Sequence, residues 1–172
     1  MLDKFNKIKK DVGLFGEFGL PESYPVPKID GLLFYIQRNL NQNTIVYVIN
    51  ENKEGLLDQN SPMDVYWINY TDGGVAKSLN LIQNKLAFGY ESYPINNVSC
   101  RFQMVSYDQD FFIGKNEEGN YKVYTSLDGH MTILNNIYIY AEDFGVFPQV
   151  KYIEFYGKDL ESSLPRYNKV LL

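Results

Sequence analysis

The sequence predicts a mainly β fold, an antiparallel meander of eight or nine strands forming a sandwich or a barrel. Three observations carry this expectation. Fifteen Tyr, eleven Phe and one Trp in 172 residues supply side chains that suit a pleated, half-buried surface. From residue 31 onward the apolar residues recur with period two. Short turns, rather than repeated helices, separate the runs. Sandwich and barrel both satisfy this periodicity, and either buries one tyrosine-rich face and leaves the other wet.

Residues 1–30 read as a helix and an arm, and residues 31–172 as a single β-rich domain. Leu2, Phe5, Ile8 and Val12 fall at three- and four-residue spacing, one stripe of a short N-terminal helix. Gly13, Gly16 and Gly19, then Pro21, Pro25 and Pro27, punctuate an extended arm. Its glycine spacing is not that of a phosphate-binding loop, and no strand precedes it.

Leu32 to Arg38 and Thr44 to Asn50 are strands joined by a hairpin at Asn39–Gln42. Ile45 to Ile49 is apolar on both faces, so that strand is covered on both sides. Asp64 to Tyr70 follows, and then the internal helix, about 78–88. There Leu79, Ile82, Gln83 and Leu86 share a face, Ser78 caps the start, and Gly89 ends the helix in the left-handed conformation. Val98, Cys100, Phe102 and Met104 alternate with polar neighbours along the next strand. Phe111 to Lys115 and Tyr121 to Leu127 continue the meander. Asp128-Gly129 is the strongest hairpin signal, because a type I′ turn needs positive φ at both central residues. Met131 to Ala141 and Val150 to Gly157 complete the strands.

Composition narrows the chemistry. A net charge of −5 and the lack of a basic stripe argue against a nucleic-acid partner. Lys4, Lys7, Lys9 and Lys10 are flanked by Asp3 and Asp11, and read as a solvated helix face. No segment reaches the ~18 apolar residues of a membrane span. As it stands the chain reads as cytoplasmic; with a leader removed it would read as periplasmic or secreted. One His and one Cys leave no set of histidines or cysteines to hold zinc, and no metal or other cofactor is anticipated. Asp108 and Asp110 fit an oxygen-ligand site only weakly.

A nucleophilic triad would need His130 as base with Cys100 or Ser126 as nucleophile. Cys100 lies on the apolar face of its strand, where a thiol is ordinary packing. His130 follows a tight turn and reads as an exposed strand-end residue. Paired carboxylates need no histidine. Glu154, between Ile153 and Phe155, is the carboxylate with apolar neighbours, although an outward-facing acid explains the pattern more simply. Tyr66, Trp67, Tyr70, Tyr138 and Tyr140 can line a stacking groove, or simply fill strand positions.

Four stretches carry a resemblance: Leu33 to Asn39, Pro62 to Ile68, Leu79 to Tyr90 and Val150 to Leu160. Over roughly residues 31–160 the chain resembles the bacterial family called domain of unknown function 4833, of Bacteroidetes type. The Tyr66-Trp67 strand and the Gln83-to-Gly89 helix end are the most specific part. The resemblance implies no reaction. Its implied marker residues are Arg38, Tyr66, Trp67, Gln83 and Lys85 as ligand-binding candidates, with Gly89 as a backbone requirement.

The sequence therefore points to a non-catalytic binding module for a small polar or aromatic ligand or a protein partner. A carboxylate-based hydrolase of glycans is the enzymatic alternative, and a structural or oligomerising module is a third.

Overall fold

The computed structural model describes residues 24–142 and 148–172. The anticipated N-terminal helix and most of the Gly/Pro-rich arm lie outside the described residues. Eleven strands form one curled sheet. One wing holds β1 (Leu32–Arg38), β2 (Thr44–Ile49), β3 (Met63–Asn69) and β4 (Val75–Ser78). The other holds β5 (Tyr90–Asn96), β6 (Ser99–Met104), β7 (Tyr107–Lys115) and β8 (Tyr121–Leu127). Between them stand β9 (His130–Glu142), β10 (Gln149–Asp159) and β11 (Pro165–Leu171). A helical turn, α1 (Leu81–Gln83), widens into a π turn over Asn84–Phe88 and links β4 to β5.

Strand β9 is long enough to serve both wings along one edge. His130–Ile133 pairs antiparallel with β8, and Asn136–Ile139 pairs parallel with β1, while β10 runs along the opposite edge. The sheet is therefore mixed, not the purely antiparallel meander the sequence predicts. The change of partner falls at Leu134 and Asn135, and opposite it the register of β10 shifts at Tyr156/Gly157. Gly157 is fixed by space: a Cβ there would stand 2.2 Å from the Ile133 carbonyl oxygen. The Asp128-Gly129 turn has the anticipated positive φ at both residues, 51° and 77°.

The curl brings the inner faces of the wings together. Phe34 stacks on Tyr47 at 4.1 Å, faces Phe102 at 6.2 Å, and Phe102 stacks on Phe111 at 5.2 Å. These rings join β1 and β2 to β6 and β7 and are all but completely buried. At the far ends, the Tyr90 hydroxyl donates to the Met63 carbonyl and accepts from the Met63 N–H, tying β5 to β3. The Tyr47 hydroxyl donates to the Phe88 carbonyl at 2.7 Å and holds the helical segment over the core.

Three of the eleven strands were not foreseen. Strand β4 is exposed along its whole length at a sheet edge, so it has no alternating burial to announce it. The other two contain prolines, Pro94 in β5 and Pro165 opening β11, which sequence reasoning takes as strand breakers. The predicted apolar helix face is also corrected. Leu79 and Phe88 pack on the core, but Ile82 and Leu86 are 67% and 71% exposed. Burial is not confined to one face either. Ile45 and Tyr47 point into the main core and Val46 is buried on the other side. A second cluster of Tyr138, Tyr140, Tyr152 and Tyr156 is buried behind β9 and β10, where Tyr24 packs against it. The tyrosine face expected to be wet is covered.

Substituting Phe102→Ala should cost about 3–5 kcal/mol in urea unfolding, because it empties the contact between wings. Leu86→Ala should change stability by no more than about 0.5 kcal/mol, since that side chain already faces solvent.

Candidate functional site

Sequence spacing builds a mouth at one end of the curled sheet. Arg38 closes β1 two residues beyond Ile36, so it follows the core-facing side past the last buried layer. Trp67 on β3 lies on that same side, opposite Ile45 of β2 and Lys77 of β4. Gln83 arrives from α1. Asn80 caps that turn by accepting from the Gln83 N–H at 2.8 Å, and the Gln83 Oε1 accepts in return from the Asn80 N–H at 3.0 Å. This is a capping box at Asn80, not the Ser78 cap that the sequence predicts.

The same Gln83 oxygen accepts from the Trp67 indole N–H at 3.2 Å. The Arg38 guanidinium lies over the Trp67 ring, 4.7 Å from its centroid, and Phe88 packs edgewise at 5.5 Å. Arg38, Trp67 and Gln83 thus form one connected group from two strands and a helix. They line a hollow of about 300 Å³ with Asn43, Asn69, Lys77, Ser78 and Asn80. Arg38 is partly buried, and its Nε has no acceptor among the described residues. Burial lowers its pKa from the ordinary arginine value, opposed by the nearby Tyr24 hydroxyl.

The other two marker residues go elsewhere. Tyr66 alternates to the opposite side of β3 from Trp67 and does not line the hollow. Lys85 is exposed and borders a separate hollow with Glu91, Gln103 and Asp108. Gly89 is a backbone requirement, but of a different kind than the left-handed stop anticipated. Its φ is −69°, and a Cβ would stand 1.8 Å from the Asn84 carbonyl oxygen. The proposed groove of five aromatics is split, since Trp67 faces the main core while Tyr138 and Tyr140 lie in the cluster behind β9.

Alternative chemistries find little support in the geometry. Cys100 is 2% exposed, and burial pushes its thiol up to about 11. His130 is half exposed and stands 3.3 Å from Asp159, which also accepts from Arg166 at 2.9 Å. Asp159 Oδ1 accepts from the Ser162 and Glu161 N–H groups. The Ser162 N–H above all, with Arg166, holds Asp159 down to about 2 against the opposing effect of burial. That arrangement secures the β10–β11 turn. Asp110 accepts from Arg101 and Gln103, and no group of three candidate metal ligands occurs among the described residues.

Glu154 overturns the expectation of an outward-facing acid. It is completely buried, and the Tyr167 hydroxyl donates to its Oε2. Burial first, and then this bond, raises the Tyr167 pKa. The reason is topological: Glu154 shares its face of β10 with Tyr152 and Tyr156 of the second cluster, and β11, unforeseen in the sequence, brings Tyr167 onto it. A broader hollow, about 710 Å³, lies between β3 and β5 and is lined by two carboxylates, Asp64 and Glu91. Asp64 accepts from Asn50 and Glu91 from Tyr93.

The residues that sequence reasoning missed are Asn43, Lys77 and Asn80. Only Asn80 left a readable signal, the Asn-x-x-Gln spacing of its capping box. A family model described as domain of unknown function (DUF4833) matches residues 34–169. No curated protein and no solved structure matches the chain.

Two outcomes test this geometry. Gln83→Ala removes the acceptor shared by Trp67 and Asn80, so it should cost about 1–2 kcal/mol and shift the indole N–H resonance upfield. Asp159 has a folded pKa near 2 against an ordinary 3.8. Its contribution to stability is therefore full above pH ~4 and is lost as pH falls toward 2. Asp159→Asn should lower Tm at neutral pH and flatten the decline in stability across that acid window.

Proposed function

The chain belongs to the DUF4833 family, and we propose that it is a non-catalytic binding module for a small polar molecule seated in the hollow at the mouth of the sheet. One observation supports this reading most directly: Arg38, Trp67 and Gln83, distant in sequence, are linked to one another around a single concavity. A partly buried guanidinium without an acceptor at its Nε is costly to keep and useful to a ligand. The Trp67 ring serves as wall and positioning surface. Arg38 covers its face, so a flat aromatic ligand has no stacking platform there, and polar recognition is favoured over aromatic.

A second reading has a specific observation behind it. Asp64 and Glu91 line the larger hollow, and paired carboxylates can run glycoside hydrolysis when they flank the scissile bond. Both are exposed and each is engaged by a neighbouring side chain, which ranks this reading below binding.

A thermal-shift screen across sugars, amino acids, nucleotides and organic acids tests the binding role. At least one class should raise Tm, and Arg38→Ala should abolish that rise. A flat response across the panel, or a response indifferent to Arg38, would count against it. Turnover of a glycan, lost in Asp64→Asn or Glu91→Gln, would favour the hydrolase.

A further inference from the structure

Resting on the reading of the mouth as a binding hollow, we infer that its ligand is a small oxyanion, a molecule that presents a carboxylate or phosphoryl group to a wall made almost wholly of hydrogen-bond donors. The amide side chains carry the argument. Three of the four amides lining the hollow have already committed their oxygens. Asn43 Oδ1 accepts from both the Thr71 N–H at 3.0 Å and the Thr71 hydroxyl at 2.9 Å. Asn80 Oδ1 accepts from the Gln83 N–H, and Gln83 Oε1 accepts from the Asn80 N–H and the Trp67 indole.

The orientation of these amides is not arbitrary. Backbone N–H groups only donate, so the atom facing each of them must be oxygen. What each amide has left to offer is its NH2 group, and among the described residues none of the three donates elsewhere. Arg38 and Lys77 add cations that only donate, and no carboxylate lines the hollow. Neither cation has a carboxylate partner among the described residues.

A neutral sugar would need acceptors as well as donors, because each hydroxyl carries a proton to place. Its side chains have few: Asn69 and Ser78 keep uncommitted acceptors, and the Asn80 Oδ1, which accepts one bond, keeps a second lone pair. An oxyanion needs only donors. It would also compensate the partial desolvation of Arg38, which an uncharged ligand cannot do. A hollow of about 300 Å³ suits a molecule of metabolite size.

The single tryptophan makes the test direct, because Trp67 supplies the one indole N–H signal of the chain. The 15N-labelled protein is titrated with inorganic phosphate, with acetate and with glucose, at constant ionic strength set by chloride. Phosphate or acetate should move the indole signal to saturation, and glucose should leave it in place. Lys77→Gln should weaken that response roughly tenfold, and Arg38→Gln at least as much. Lys77 is exposed, so its variant keeps the fold even if Arg38→Gln perturbs the packing on Trp67. Response to phosphate alone assigns a phosphoryl ligand, and response to acetate alone a carboxylate. Saturable binding of glucose without either anion would overturn the oxyanion while leaving the binding hollow standing. Silence toward all three probes up to high millimolar concentration would remove both.

Discussion

The contact between the two wings, a run of rings from Tyr47 through Phe34 and Phe102 to Phe111, is the interaction on which the rest of this structure depends. A curled sheet has no layer of helices to bury its concave side, so it must bury that side against itself. Large planar side chains do this well, because each contributes much apolar area and stacks with defined geometry. The abundance of Phe and Tyr is thus the condition for a fold whose described helical segment amounts to little more than two turns.

Such a sheet needs a strand that both wings can share, and β9 supplies it. Its thirteen residues give β8 and β1 successive places on one edge while β10 spans the other. Gly157 permits the close approach where the partners change. The consequence is a mouth rather than a closed end. Strand β1 runs past the last buried layer to Arg38, β3 carries Trp67 to the same level, and the turn after β4 brings Gln83 to meet them. The capping box of α1 serves two purposes at once. It satisfies two backbone N–H groups at the start of the turn, and it engages the Asn80 and Gln83 oxygens as acceptors, leaving their NH2 groups as donors.

How much of this was legible depended on which physical signal each residue leaves in the sequence. Strands that alternate in burial, such as β6 with Cys100, Phe102 and Met104, were readable because one face is dry. Strand β2 was readable because both its faces are. Edge strands were not: β4 is wet throughout, and β11 opens with Pro165. Missing β11 had a further effect, because without Tyr167 and a covered second face an exposed acid at Glu154 was the natural reading. The parallel pairing of β1 with β9 joins strands about a hundred residues apart, and local periodicity cannot report it. The site followed the same rule. Arg38, Trp67 and Gln83 came from resemblance, not from spacing, whereas Asn43 and Lys77 are ordinary polar residues whose role is visible only once their neighbours are placed.

The aromatic contact should make the two wings and the mouth one cooperative unit. Native-state amide hydrogen exchange tests this most directly. Protection in β1, β2, β6 and β7, together with the Trp67 indole N–H, should converge on one opening free energy equal to that of global unfolding. If β1 to β4 instead opened at markedly lower free energy while β6 to β8 stayed protected, the wings would be independent and the mouth would not depend on the aromatic contact.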